Sequence, residues 1–422
     1  MATVLGETVS IDAGVARTEG PGGTRILSET IPGARSVAVG LWVKWGSAHE
    51  PPALQGVAHL LEHMVFKATE RRTAHAIAAA IEGLGGSLDA YTSREHTLYQ
   101  ARVPAEHLPI AIDVLADLVF HPRLDAADLE LERRVVLEEI AGVEDTPDDW
   151  IFDLHARALW GEHPYGSPIL GTRETVAGID REALAETWAA AYRPVRCGAV
   201  AAGRLSHEAF ASEVARAFPN DAAGGPPAEV PAPAAAAPGE ERVPRETAQL
   251  HLCLGGATVP DSDPRSWPLR AATTALGGGM SSRLFQRVRE ELGLAYAVHA
   301  YDSFYRWGGQ AGVYAGTQPE AADRALDAIH EELSRLAAEP LPADELRAVK
   351  NQVTGQRKLA LESTVARMYR LAHHWLYDEP YESIEAELER IERVDAEAIR
   401  EVSEAFLAPE RMTVVRLGPA AA

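Results

Sequence analysis

The sequence predicts an α+β protein of two homologous domains, each a mostly antiparallel sheet covered by helices. Three observations carry that prediction. At 422 residues the chain exceeds the size at which a single hydrophobic core usually stops growing, so two or more domains are expected. Strand-like and helix-like segments recur in the same order on both sides of a Pro/Ala/Gly-rich stretch, and mixed elements of this kind pack in layers. The segments "LDAADLELERRVV" (Leu124 to Val136) and "LPADELRAVKNQV" (Leu341 to Val353) also register without a gap at an offset of 217, as in a duplicated chain.

Taken in order, "SVAVGLWVKWGS" (Ser36 to Ser47) has strand character, and Gln55 to Lys67 and Ala74 to Leu84 read as helices. Strand-like "SLDAYTSREHTLYQARV" (Ser87 to Val103) follows, then helix-periodic segments from Leu108 to Phe120 and from Ala126 to Val143. Residues 221–244, "DAAGGPPAEVPAPAAAAPGEERVP", lack strand or helix periodicity and read as a linker between domains at 1–220 and 245–422. Beyond it come strand-like Gln249 to Ala257, helical Pro268 to Leu276 and Arg283 to Leu292, strand-like 294–315 and two long helical segments.

Composition narrows the function. Hydrophobic residues make up 46% and charged residues 24%, the balance of an ordinary folded chain. A formal net charge of -22 repels phosphate backbones and anionic lipid, so neither nucleic acid nor a membrane surface is expected as a partner. Cys197 and Cys253 sit among apolar residues and read as buried thiols rather than a disulfide. Met1 to Gly14 has no basic segment followed by an apolar one, and no run approaches the ~18 apolar residues of a membrane span. A cytoplasmic location is the resulting expectation.

The chemistry concentrates in "GVAHLLEHMVF" (Gly56 to Phe66), where His59, Glu62 and His63 stand at i, i+3 and i+4 of a helix and share one face. Two imidazoles one turn apart can bind one Zn²⁺, and a carboxylate beside them can take a proton from metal-bound water. This is the inverted H-x-x-E-H arrangement. Among 15 histidines in this chain such a match arises by chance on the order of a few per cent of the time, the alternative being a solvated helix face. A catalytic zinc site needs a third protein ligand. In "LELERRVVLEEIAGVEDTPDD" (Leu129 to Asp149), Glu132 and Glu139 project from nearly the same helix face, with Glu138 about 100° away. Spacing leaves Glu138 and Glu139 both open as the ligand.

The sequence resembles the pitrilysin and mitochondrial processing peptidase family of zinc peptidases over nearly its whole length. The resemblance lies in "GVAHLLEHMVFKAT", "GGSLDAYTSREHTLYQARV" (Gly85 to Val103), "ERRVVLEEI" (Glu132 to Ile140), "HPYGSPILGT" (His163 to Thr172) and "GGGMSSRLFQRVREELGLAYAV" (Gly277 to Val298). It implies a short bacterial-type member with the two domains arranged as a clamshell. It further implies one Zn²⁺ per chain on His59, His63 and Glu139, Glu62 as the base that activates the water, and Glu132 as a supporting carboxylate. In the second half the same offset puts Gln356 opposite Glu139 and Val349 opposite Glu132, so that half looks like a copy without metal. What the family keeps there is an Arg and a Tyr seven apart, matched by Arg289 and Tyr296, which can donate to the oxyanion formed on the substrate.

The strand around Gly86, Asp89, Ala90 and Tyr91 matches the edge on which the family adds its substrate in extended form. Asp89 stands where Asn is common and cannot donate as an amide does. The resemblance implies zinc-dependent endopeptidase cleavage of unstructured peptides inside a closed chamber, by a homodimer. The rivals are a silent scaffold subunit of the same fold, or the active half of a heterodimer. His373, His374 and His163 read as packing, surface or loop residues.

Overall fold

The computed structural model describes residues 5–221, 229–234 and 237–419. These gather into two compact units. The first draws on Met1–Ile140, Pro168–Glu229 and Leu359–Ser383, and the second on Ala141–Ser167, Val230–Lys358 and Ile384–Ala422. The units thus differ from the contiguous spans 1–220 and 245–422, because each includes a segment from the other side of the chain.

Fourteen α-helices lie among the described residues. The first eight are α1 (Val57–Val65), α2 (Ala74–Glu82), α3 (Leu108–Phe120), α4 (Ala126–Glu144), α5 (Pro147–Trp160), α6 (Arg173–Gly178), α7 (Arg181–Ala191) and α8 (His207–Ala217). The rest are α9 (Ser266–Gly277), α10 (Ala322–Ala338), α11 (Ala343–Ala360), α12 (Thr364–Leu376), α13 (Ile384–Arg393) and α14 (Ala396–Phe406).

The first unit is built on β1 (Val9–Asp12), β2 (Val15–Glu19), β3 (Arg25–Thr30), β4 (Ser36–Val43), β5 (Ser87–Thr92), β6 (Thr97–Pro104) and β7 (Cys197–Gly203). Its strand order is β1-β2-β3-β7-β4-β6-β5, antiparallel except where β3 meets β7. Alternation along β4 loads both faces. Val37, Val39, Leu41 and Val43 join the main core with α1 and α3. Ala38 and Trp42 pack on the opposite face with Met368, Leu371 and Ala372 of α12. That approach is close enough to need glycine at 198, where a Cβ would stand 2.5 Å from the Trp375 ring.

The second unit repeats the plan with β8 (Glu240–Pro244), β9 (Leu250–Thr258), β10 (Ala295–Phe304), β11 (Gly309–Thr317) and β12 (Thr413–Gly418). The order is β10-β11-β9-β12-β8, with only β12 and β8 parallel. Here α5 covers the second face, Ile151 and Leu154 packing on Cys253, Tyr314, Val415 and Leu417. Each sheet therefore has one face closed by a helix encoded in the opposite half of the sequence.

Two expectations change. The linker expected over 221–244 lies partly outside the described residues, and its end, Glu240–Pro244, is the edge strand β8. Pairing with β12 orders a segment too short and too charged to announce itself by periodicity. The helix expected over Arg283–Leu292 contains a π-helical stretch, Phe285–Glu291, a rare geometry that tends to occur at functional sites. Both cysteines are free and buried. Among the described residues no helix is long and apolar enough to cross a membrane.

Candidate metal centre

Helix α1 buries Val57, Ala58, Leu60, Leu61, Met64 and Val65, which leaves His59, Glu62 and His63 on its remaining face. Its start is fixed by two devices. Gly56 adopts a left-handed φ of 92°, which glycine tolerates at no steric cost. The buried Glu50 carboxylate then accepts N–H bonds from Gly56 at 2.8 Å and Ala58 at 2.7 Å, satisfying donors that a helix N-terminus otherwise leaves open.

Helix α4 brings the third group. Glu139 Oε2 lies 3.7 Å from His59 Nε2 and 3.7 Å from His63 Nε2, and the ligand atoms of the three residues all fall within 4.8 Å of one another. Glu138, the alternative left open by spacing, is exposed on α4 and belongs to no such group among the described residues. Two imidazole nitrogens and one carboxylate oxygen facing a common point are the donor set that zinc favours. Burial, with the His63 charge adding to it, pushes the His59 imidazole down to about 3, so its lone pair is free for a metal at neutral pH. These residues fit a zinc ion.

Glu132, one of the few buried charged residues among those described, sits behind His63. Its Oε2 lies 3.0 Å from His63 Nδ1 and its Oε1 accepts from Lys67 Nζ at 2.7 Å. Burial opposes the charge on Glu132, but the hydrogen bonds from Lys67 and His63 outweigh it and hold the carboxyl below its usual value. A carboxylate on the outer nitrogen of a ligating histidine fixes that ring's tautomer and direction. Glu62 accepts from Thr92 Oγ1 at 2.6 Å. Burial raises its pKa, with Asp89 and Glu139 adding to the effect and Thr92 and His63 opposing it.

Thr92 ends β5, one of the two edge strands of the first sheet among the described residues. Asp89, Ala90 and Tyr91 lie along this strand, Asp89 and Tyr91 on its more exposed side. Gly86 precedes it, and a Cβ there would meet Val103 Cγ1 at 2.7 Å and the Arg102 carbonyl at 2.8 Å. Thr92 and Lys67 were not among the expected site residues. Their signals were nevertheless in the sequence, Lys67 four positions beyond His63 and Thr92 at the end of the strand.

Arg289 and Tyr296 belong to the second unit. The Arg289 guanidinium stacks 4.8 Å from the Tyr296 ring and 4.6 Å from Phe285, while Tyr296 is 76% exposed. The pair is therefore assembled and open to solvent. His163 is a loop cap, its Nδ1 accepting from the Tyr165 N–H at 3.2 Å. His373 and His374 lie on the last turn of α12.

Comparison with known proteins gives the family. Residues 25–173 match the family described as "Insulinase (Peptidase family M16)", and residues 178–353 match "Peptidase M16 inactive domain". An uncharacterized zinc protease of Streptomyces coelicolor is 39% identical over 96% of this chain and 90% of its own length. The uncharacterized zinc protease YmxG of Bacillus subtilis is 38% identical over 89% of this chain and 92% of its own. Among solved structures, a peptidase M16 inactive domain from Pseudomonas fluorescens superposes with a TM-score of 0.89 at 22% identity, covering 97% of this chain and 98% of that one. A protease from Helicobacter pylori gives 0.88 at 19% identity, covering 99% and 100%. The structures share the fold, and at this identity and coverage the sequence relatives establish that the chain belongs to peptidase family M16.

Proposed function

We propose that the chain is a zinc-dependent endopeptidase acting on unfolded peptides, with His59, His63 and Glu139 as metal ligands and Glu62 as general base and acid. The observation that carries this reading is the convergence of three ligand atoms within 4.8 Å beside a carboxylate held by Thr92 at 2.6 Å. When bound, zinc supplies Lewis acidity, bringing a water's pKa towards neutrality and polarising the peptide carbonyl. Glu62 takes the proton from the attacking water and returns it to the leaving amine. Its raised pKa suits a group that must hold a proton between the two transfers. The outer edge of β5, which pairs with no strand among the described residues, offers main-chain groups to an extended peptide, with Gly86, Asp89, Ala90 and Tyr91 as contacts. Arg289 and Tyr296 are proposed as donors to the carbonyl oxygen as negative charge develops on it.

Glu62→Gln tests the reading. Zinc content is expected to stay at the parent level while peptide cleavage falls by about 10²- to 10⁴-fold, and normal turnover in this variant would sink the mechanism. The same reading has the chain work as a homodimer enclosing its substrate in a chamber. Mixing Glu62→Gln chains with Arg289→Ala chains tests that assembly. Recovered cleavage means that one copy completes the site of another, and two additive null activities mean that it does not.

A further inference from the structure

We propose that Lys67 is a positioning residue for His63, acting through Glu132; the inference rests on the zinc reading of the site. Beyond α1 the chain keeps turning, with the Phe66 N–H donating to the His63 carbonyl and the Lys67 N–H to the Met64 carbonyl, both at 3.2 Å. Residues 63 and 67 therefore share a face one turn apart. Both reach the same carboxylate, Lys67 Nζ on Glu132 Oε1 at 2.7 Å and His63 Nδ1 on Oε2 at 3.0 Å. Each oxygen has its own partner, so the plane of the carboxylate is set at two points.

Removing Lys67 leaves one anchor. The terminal torsion of a glutamate is broad, and a carboxylate tied only to His63 is free to swing with it. His63 then loses the rigid acceptor that keeps its proton on Nδ1 and its Nε2 lone pair directed at the common point. Charge acts in the same direction. Glu62, Glu132 and Glu139 bring three carboxylates together around two imidazoles, and Lys67 sets a cation against one of them, Glu132. Side-chain exposures of 30% for Lys67 and 11% for Glu132 shield the pair from water more than a surface ion pair, which strengthens it.

The test is the zinc affinity of the full chain, measured by competition with a chromophoric chelator, for the parent, Lys67→Met and Lys67→Arg. The metal-free thermal midpoint of each is measured alongside. Lys67→Met is expected to weaken zinc binding about 10- to 100-fold with an unchanged metal-free midpoint, and Lys67→Arg, which keeps a cation within reach, to recover most of the loss. Unaltered affinity in Lys67→Met against a zinc-binding parent overturns the role of Lys67 and leaves the zinc reading standing. A parent that binds no zinc overturns both. Should Lys67→Met lower the metal-free midpoint, Lys67→Gln is measured in its place and judged by the same two outcomes.

Discussion

Helices α4 and α11 begin at Ala126 and Ala343, 217 residues apart, and occupy matching places in two units of the same plan. At one matched position the first unit buries Glu132, 8% exposed, and the second buries Val349, 5% exposed. The burial is the same and the chemistry opposite. Valine needs no partner in that setting, whereas a buried carboxylate is tolerated only when paired, and Glu132 has both Lys67 and His63. Seven residues on, Glu139 reaches two imidazoles while its counterpart Gln356 is exposed. The two units thus share five strands in matching order, β5-β6-β4-β7-β3 and β10-β11-β9-β12-β8, the hairpin at the sheet edge and the long helix. The candidate metal site rests on a handful of side chains present in the first unit alone among the described residues.

Glu139→Gln, which gives the first unit the residue of the second, has the largest expected effect. Zinc affinity should fall by more than about 100-fold and cleavage with it, read by metal analysis and a peptide assay. The reverse exchange is Val349→Glu. It buries a carboxylate in the apolar core of the second unit, and the chain should lose on the order of 3 kcal/mol of stability in urea titration. An unchanged midpoint would mean that the second unit tolerates charge where the comparison says it cannot.

A third test places acid sensitivity in the first unit. Asp117 has a fully buried side chain that accepts from Thr69 at 2.7 Å and from Arg71 at 3.0 Å, and it also pairs with Arg72. Burial raises its pKa, but these bonds overcome it and hold the carboxyl below the usual value. A depressed folded pKa stabilises above the unfolded value, about 3.9, and the contribution disappears as pH falls through the folded one. Asp117→Asn should therefore cost about 2 kcal/mol near neutrality and flatten the stability loss below about pH 4 in acid titration. The smallest effect belongs to Thr92→Val, which removes the donor to Glu62. About a tenfold fall in kcat/KM is expected, with zinc binding unchanged.

Much of this fold and of the candidate site is legible in the sequence. Strand β4, helix α3 and the β5–β6 hairpin follow the periodicity of their residues, because each buries a face that its own local sequence encodes. The grouping of His59, Glu62 and His63 is local for the same reason. Spacing could not separate Glu138 from Glu139, since that choice depends on how α4 is rotated against α1, a property of packing between distant segments. The helix exchange was equally hidden. Helices α5 and α12 carry apolar residues that fit either sheet, and only the assembled units show which sheet each one closes. Strand β8 is ordered by its neighbour β12 rather than by its own composition.

The most direct measurement is zinc per chain in the purified protein, taken together with cleavage of unstructured peptides with and without chelator. The account predicts about one zinc per chain, cleavage that chelator abolishes and re-added zinc restores. Peptide cleavage that survives complete removal of the metal, or a chain that binds none, would contradict it.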